Sequence, residues 1–378
     1  MNIGILLYPT YGGSGVLATE LGKALAERGN QVHFISYKLP ARLDHYHENI
    51  FYHEVSVTTY PLFEYVPYET ILASKIVDIV LSQNLDLIHA HYAIPHASAA
   101  LMALNILKGH NRHIPMVTTL HGTDITLVGR NPTYKPVVEY SINQSHAVTA
   151  VSQSLKDDTL NLFDIQKEIH VVPNFTDFPD LHKLRQKAAG LKQNLAPNHE
   201  PILVHTSNFR KVKRVTDVVD VFYTVRQNMP AKLLLIGDGP ERDAVEQRCR
   251  DLNVCEDVIF LGKQEAVKDL MVQCDLFLLP SQTESFGLAA LEAMSCRLPV
   301  ISSNTGGIPE VNQQGISGFL FPVGSTQEMA QCAIELLANP ARLEQFKEQA
   351  YEHAKQFSSH IAVDAYCKVY QSLVSSCM

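Results

Sequence analysis

Short apolar runs alternate with amphipathic stretches through the first 172 residues of the chain. The runs lack the strict polar–apolar alternation of a strand with one solvated face, so they predict strands buried on both faces of a parallel sheet. Helical patterns lie between most of them, for example at Leu17–Glu27, Ile71–Gln83 and Ala97–Leu107. This repetition predicts a doubly wound α/β domain. The predicted strands are Ile3–Tyr8, Gln31–Ser36, Phe51–Val57, Asp86–Ala90, Met116–Leu120, Ala147–Val151 and Ile169–Val172.

The pattern lapses over residues 176–199, which are polar with Pro near both ends and predict a linker with a short helix. It resumes with the strand-like runs PILVHTS, AKLLLIG, DVIFLG, DLFLLP and LPVISS, with helices near 215–227, 241–251, 265–272 and 286–296 between them. The sequence therefore predicts an α/β fold with two Rossmann-like doubly wound domains, residues 1–175 and 200–355, facing across a cleft. Ligands of such sheets bind beyond the carboxyl ends of the strands.

Composition and charge narrow the function classes. The 378 residues carry 31 basic and 39 acidic side chains, a formal net charge of −8, which argues against non-specific nucleic-acid binding. No apolar run reaches the roughly 18 residues of a membrane span, and the N-terminus begins as a strand without the basic region of a signal peptide. The seven cysteines form no CxxC pair, which favours reduced thiols in a cytoplasmic protein.

A glycine-rich turn follows the first predicted strand. In GGSGVLA, Gly13, Gly15 and Ala18 match G-x-G-x-x-G/A, but the second strand, QVHFISYK, ends without the acidic residue that would hold the ribose of NAD. The turn still precedes a helix, whose free backbone N–H groups can receive an anion. The alternative is that the glycines merely allow a tight turn.

The segment ESFGLAALE follows the strand DLFLLP directly. Glu284 lies in the loop at the carboxyl end of that strand, and Phe286 to Leu288 are predicted to open a helix with their amides free. Glu292 lies about two turns further along, where a carboxylate can accept two hydrogen bonds from a ribose diol. The alternatives are a solvated helix face for Glu292 and a favourable first-turn charge for Glu284.

Cations follow the first strand of the second domain, and histidines follow a strand of the first. SNFRKVKR places Arg210, Lys211, Lys213 and Arg214 at a strand end, where Arg and Lys suit phosphate oxygens, unless they form a solvated patch. The chain has no D-x-D with which to chelate a metal–diphosphate complex. His89, His91 and His96 lack a usual zinc spacing, so we expect no metal site, with one or two of them accessible to a ligand and the rest in the core.

These motifs resemble those of the retaining glycosyltransferases of family 4, which have the GT-B fold. ESFGLAALEAM resembles their E-x7-E motif, and HGTD at 121–124, VPNF at 172–175, GDGPE at 237–241 and GGIPEV at 306–311 follow in the family's order. The resemblance implies that Glu292 binds the ribose and Glu284 the donor-sugar hydroxyls. It implies a diphosphate held by Arg210 and Lys213, although Lys211 and Arg214 remain alternatives. The implied donor-site residues are Gly13, Arg210, Lys213, Glu284, Phe286, Gly287, Leu288 and Glu292.

A closer resemblance, carried by GGSGVLATELGKALAERG, HAHYAIPHA, TTLHGTDITLVG and SNFRKVKRV, is to family members that transfer N-acetylglucosamine from UDP to L-malate, the first step of bacillithiol biosynthesis. It implies a UDP-sugar donor, a small dicarboxylic hydroxy acid as acceptor, no cofactor and a homodimer. It also implies an internal-return reaction in which the backbone carbonyl of His121 shields the developing cation. The alternatives are a lipid or glycan acceptor, or a non-catalytic nucleotide-sugar-binding protein.

A dianionic acceptor needs hydrogen-bond donors, and Ser14, Tyr92, Thr119 and His121 are strand-end residues of the first domain that could supply them. Ser14 and Tyr92 could equally be packing or turn residues. The family also implies that the final helix, about 356–378, crosses back to the first domain.

Overall fold

The computed structural model describes residues 1–43, 45–57, 64–187 and 189–377. It divides into two compact units: unit 1 comprises Met1–Asn174 and Ser359–Met378, and unit 2 comprises Phe175–Ser358. Residue 188 of the predicted linker and residue 378 of the predicted final helix lie outside the described residues. No helix in the described ranges is both long and apolar enough to cross a membrane.

Unit 1 contains a seven-stranded parallel sheet with the strand order β3-β2-β1-β4-β5-β6-β7. Its strands are β1 (Asn2–Leu6), β2 (Gln31–Ser36), β3 (Ile50–Glu54), β4 (Leu87–His91), β5 (Met116–Leu120), β6 (Ala147–Ala150) and β7 (Ile169–Val171). The helices that connect them are α1 (Gly13–Glu27), α2 (Tyr68–Gln83), α3 (Ser98–Lys108), α4 (Lys135–Gln144) and α5 (Gln153–Leu162).

Burial on both faces explains why the central strands β4 and β5 could be predicted from the sequence. All five residues of β4 and of β5 are buried, so no polar–apolar alternation arises. Four predicted strands run too far, because the chain stays buried after the strand has ended, at Leu7, Val55, Val151 and Val172. The strand order reverses between β1 and β4, whose carboxyl ends therefore form the switch point at which such sheets bind ligands.

Unit 2 repeats this design with a six-stranded parallel sheet of order β10-β9-β8-β11-β12-β13. Its strands are β8 (Ile202–Ser207), β9 (Lys232–Gly237), β10 (Val258–Gly262), β11 (Leu276–Leu279), β12 (Val300–Ser303) and β13 (Gly318–Phe321). Its helices are α6 (Leu181–Lys187), α7 (Ala189–Leu195), α8 (Val215–Asn228), α9 (Arg242–Asp251), α10 (Val267–Met271), α11 (Leu288–Ser295), α12 (Ile308–Val311), α13 (Thr326–Leu337) and α14 (Pro340–Ala354). The switch point lies between β8 and β11.

The segment predicted as a linker belongs to unit 2. Its helices α6 and α7 are tied to the sheet and its connections by two ion pairs, Lys187–Asp269 at 2.5 Å and Lys192–Asp275 at 3.4 Å. Two helices follow α13, namely α14 and the final helix. The backbone of Ser358 is extended, so α14 and the following short turn end in unit 2, and α15 (Ser359–Cys377) belongs to unit 1.

Candidate functional site

In unit 2, two loops meet at the switch point of the sheet. Residues 208–214 follow β8 and residues 280–287 follow β11. The backbone N–H of Gln282 donates to the carbonyl of Val212 at 2.7 Å and fixes the two loops to each other. The loops carry most of the cations and acids that the sequence singled out.

Lys213 and Glu284 form an ion pair between these loops. Ser281 Oγ donates to the same carboxylate oxygen, Glu284 Oε1, at 3.0 Å. The two side chains are 21% and 13% exposed, so the pair is largely desolvated and still reaches the surface. An ammonium and a carboxylate held together there can bind phosphate oxygens and hydroxyl groups side by side.

The other predicted cations differ in their surroundings. Arg214 has a left-handed backbone with φ 49° and pairs with Asp217 of α8 at 2.7 Å. Arg210 and Lys211 are exposed. Among the alternatives for diphosphate binding, Lys213 is thus the one paired with the loop after β11, while Arg214 is directed to its own helix.

The helix after ESF begins later than predicted. α11 starts at Leu288, and Gly287 precedes it with φ 96°, a conformation that favours glycine and cannot belong to a right-handed helix. Phe286 therefore lies outside the helix, where its ring is buried against Phe357 at a centroid distance of 5.8 Å. Glu292 lies on α11 and is partly exposed.

The glycines of GGIPEV let a third loop pack under Glu284. The N–H of Gly307 donates to the carbonyl of Glu284 at 2.9 Å. A Cβ at Gly306 would lie 2.0 Å from that carbonyl oxygen, and a Cβ at Gly307 would lie 2.4 Å from the carbonyl oxygen of Ser285. Neither position has room for a side chain, so this motif supports the backbone of the candidate site.

In unit 1, the glycine-rich turn lies at the carboxyl end of β1. Gly13 is the first residue of α1, and its N-cap, Gly12, provides no side-chain hydrogen bond to the helix. A Cβ at Gly15 would lie 2.4 Å from the carbonyl oxygen of Tyr8, so that glycine is required by the turn itself. Ser14 Oγ is 2.6 Å from the hydroxyl of Tyr92, which follows β4. Two of the predicted acceptor residues are therefore in contact.

His121 joins this group through His91. His91 Nδ1 lies 2.9 Å from His121 Nε2, and the rings of Tyr92 and His121 have centroids 5.0 Å apart. Nδ1 of His96 donates to the carbonyl of His91 at 2.6 Å. Burial lowers the pKa of His121 to about 3 and that of His96 to about 4, and it lowers the pKa of His91 as well. The cluster is therefore neutral near pH 7.

Thr119 lies deeper, in a network that α15 completes. Its hydroxyl lies 2.7 Å from His89 Nε2 and 2.6 Å from Thr149 Oγ1, and the hydroxyl of Tyr370 lies 2.7 Å from His89 Nδ1. Thr119 is fully buried, so the predicted contact with an acceptor would require this network to open. His89, His91 and His96 are also all buried, whereas the sequence predicted that one or two would be accessible.

Asp124, which the sequence analysis passed over, lies beneath His121. Its carboxylate accepts hydrogen bonds from the N–H groups of Ala93 and Gly122, each at 3.0 Å. The available signal was an acidic residue three positions after a strand-end histidine, in HGTD. Within the described ranges no group of three or more His, Cys, Asp or Glu side chains is arranged to hold a metal ion.

Comparison with known proteins assigns both units. The family model described as Glycosyltransferase Family 4 matches residues 11–178, and the model described as Glycosyl transferases group 1 matches residues 187–353. The chain is 45% identical over 375 residues to the N-acetyl-alpha-D-glucosaminyl L-malate synthase of Bacillus anthracis, covering 99% of this chain and 97% of that protein.

Solved structures show the same fold. Sucrose-phosphate synthase from Thermosynechococcus elongatus superposes with a TM-score of 0.80 at 19% identity, over 99% of each chain. Anabaena HepE, solved with UDP and glucose, superposes with a TM-score of 0.79 at 22% identity, over 99% of this chain and all of that one. The predicted fold class, two Rossmann-like units of the GT-B type, is confirmed. With both units matched and a relative of 45% identity along nearly its whole length, the chain belongs to glycosyltransferase family 4.

Proposed function

We propose that this glycosyltransferase moves N-acetylglucosamine from UDP-N-acetylglucosamine to the hydroxyl of L-malate, the first step of bacillithiol biosynthesis. The observation that carries the transfer of a sugar from a nucleotide is the Lys213–Glu284 pair at the switch point of unit 2. The identity of the two substrates rests on the relative of 45% identity, which is named for that reaction.

Unit 2 binds the donor. Glu284 accepts hydrogen bonds from sugar hydroxyls, and Lys213 with Arg210 neutralises the diphosphate. The amides of Gly287 and Leu288, at the start of α11, add donors to the phosphates, while Phe286 packs below them. Glu292 accepts from the ribose diol. Gly13, at the start of α1 in unit 1, supplies a further backbone donor to the anion.

The chemistry retains the configuration at the anomeric carbon. The C1–O bond to UDP breaks, and the leaving phosphate oxygen takes the proton of the malate hydroxyl. The malate oxygen then bonds to C1 on the face that UDP leaves. Negative charge grows on the phosphate, so preorganised cations stabilise the transition state more than the bound donor. The backbone carbonyl of His121 shields the positive charge that develops on the sugar.

Unit 1 binds the acceptor. Ser14 and Tyr92 present hydroxyl groups that are already in contact, and the neutral His121 ring lies beside Tyr92. Thr119 joins them if its buried network opens. A dianion needs donors of this kind. The nearby Asp124 carboxylate has both of its oxygens engaged by backbone N–H groups.

We further propose that the enzyme acts in the cytoplasm as a homodimer, without a metal or other cofactor, and that it binds neither nucleic acid nor membranes. Charge neutralisation by Lys213 and Arg210 takes the place of a metal ion. Activity should therefore survive excess EDTA. Loss of turnover in EDTA that magnesium or manganese restores would contradict this part.

The decisive experiment is product detection by mass spectrometry with a panel of UDP-sugars and small hydroxy acids. We expect an N-acetylhexosaminyl-malate product, with an α-anomeric proton coupling by NMR. A product formed only with glycan or lipid acceptors would show that the acceptor is not malate. Absence of turnover with every donor at enzyme excess would show a nucleotide-sugar-binding protein instead.

A further inference from the structure

The buried carboxylate of Asp124 joins the two chain segments that carry the proposed acceptor residues. Oδ2 accepts from the N–H of Ala93, directly after Tyr92, at 3.0 Å. Oδ1 accepts from the N–H groups of Gly122 at 3.0 Å and His121 at 3.3 Å. Asp124 is 1% exposed, and no Lys or Arg within the described ranges forms an ion pair with it. The backbone N–H donors therefore offset the free-energy cost of burying this carboxylate.

Both segments contain a residue with a positive φ, and at Tyr92 this conformation needs support. Tyr92 has φ 87° and ψ 139°, a region that residues other than glycine rarely occupy, and Gly122 has φ 109°. The ψ torsion of Tyr92 sets the direction of the Ala93 N–H, so the bond to Asp124 Oδ2 holds that torsion directly. Oδ1 holds the amide of Gly122 itself. One carboxylate therefore restrains both unusual conformations.

We propose that Asp124 is a positioning residue for sugar transfer, which holds Tyr92 and His121 where their groups meet the acceptor. The inference rests on the proposed function, because it assigns the acceptor to these two residues. The carboxylate itself touches neither substrate. It acts by preventing the Tyr92–Ala93 peptide from rotating to a relaxed conformation, which would carry the tyrosine hydroxyl away from Ser14.

Asp124→Asn tests this with almost no change of shape. The new NH2 group cannot accept, so Ala93 or Gly122 loses its hydrogen-bond partner. We expect kcat/KM for malate to fall about 10²-fold, the effect of a misplacement of roughly 1 Å, while the Kd for UDP stays unchanged. Amide hydrogen exchange should rise in residues 92–97 and 121–127.

Asp86→Asn is the matched control. Asp86 Oδ2 accepts from the backbone N–H of Asn2 at 2.7 Å, at the amino ends of β1 and β4 in the same sheet. It makes the same change from carboxylate to amide at a side chain of unit 1 that accepts from a backbone N–H, so a general effect of that change on unit 1 would appear in both variants. We expect Asp86→Asn to leave the kinetics for malate and the exchange of residues 92–97 unchanged.

A second pair of variants tests whether Asp124 supports the strained backbone of Tyr92. Glycine adopts a φ of 87° freely. The loss of stability caused by Asp124→Asn should therefore be smaller in a Tyr92→Gly background than in the native chain, in a double-mutant cycle. Equal losses, or malate kinetics in Asp124→Asn that match those of Asp86→Asn, would overturn the inference. If the native enzyme makes no glycosyl-malate, the proposed function fails, and the exchange and stability comparisons still decide the role of Asp124.

Discussion

Lys213 and Glu284 show what single residues reveal before a structure is available. The sequence placed both at strand ends of one sheet, and their 71-residue separation is closed by the adjacency of β8 and β11. What the sequence left open was the choice among three neighbouring cations. The left-handed backbone at Arg214, whose side chain pairs with Asp217, bears on that choice, and no residue pattern in SNFRKVKR predicts it.

Replacing Lys213 should damage catalysis more than binding. In the proposed mechanism, Lys213→Ala removes a charge that stabilises the leaving phosphate more than the bound donor, so kcat should fall by roughly 10²–10³. KM for the sugar nucleotide should change much less. Steady-state kinetics measured over a range of donor concentrations separate the change in kcat from the change in KM. Lys211→Ala, at an exposed position in the same turn, is the control and should be nearly silent. A raised KM with kcat intact would make Lys213 a uniform binder.

The buried histidines predict acid lability. Burial lowers the pKa of His89 and His121 to about 3 and of His96 to about 4, against 6.5 in the unfolded chain. Below pH 6.5 these histidines bind protons in the unfolded state but stay neutral in the folded state. The free energy of unfolding should therefore fall as the pH drops from about 6.5 towards 4. Burial raises the pKa of Asp124 to about 6 and also raises the pKa of Glu69 and of Asp217, and these three carboxyl groups oppose the trend.

Thermal unfolding between pH 8 and pH 4.5 measures that slope. His89→Gln should flatten it, because one proton-binding difference between the folded and unfolded states disappears. His110→Gln, on the surface of unit 1, should leave it as in the native protein. Identical slopes in all three proteins would exclude His89 as a source of the acid lability.

At the scale of elements, the pattern predicted strands better than the segments between them. Runs buried on both faces mark β4, β5 and β11 in any context. The helical turns Ala93–Ala97 and Thr123–Leu127 went unpredicted, since they are held by Asp124 and by contacts from other strands rather than by local periodicity. The start of α11 was missed by two residues because ESFGLAALE looks helical throughout, although Gly287 adopts a positive φ.

Gly307→Ala tests whether the GGIPEV loop supports the proposed donor site. The new Cβ would lie 2.4 Å from the carbonyl oxygen of Ser285, so the backbone of residues 284–286 must move. We expect weaker UDP binding by isothermal titration, by about 10-fold or more, because Glu284 and the start of α11 shift together. Gly190→Ala is the control: nothing lies within 4 Å of its Cβ position, and UDP affinity should be unchanged. An unaltered affinity in Gly307→Ala would show that the loop adapts without moving the site.

At the scale of the whole molecule, the chain leaves unit 1 at Asn174 and returns to it at Ser359. The prediction of a helix that returns came from the family resemblance and not from the residue pattern. The pattern could not supply it, because the hydroxyl of Tyr370 meets His89 across 281 positions of sequence. Tyr370 is fully buried, so α15 contributes a core residue to unit 1 and is more than a surface attachment.

Tyr370→Phe should therefore destabilise unit 1 from a position near the end of the chain. The ring stays, but His89 Nδ1 loses a hydroxyl at 2.7 Å and remains buried without that partner, which costs about 1–3 kcal/mol. Tyr366→Phe, on the same helix, is the matched comparison. Its hydroxyl lies 3.3 Å from Thr119 Oγ1, which keeps contacts with His89 and Thr149, so its loss should be smaller. Urea unfolding followed by amide exchange in β4 and β8 reports on the two units separately. The difference in stability between the two variants should appear in β4 and be absent from β8. Equal losses in both strands would mean that α15 stabilises the whole protein rather than the histidine network of unit 1.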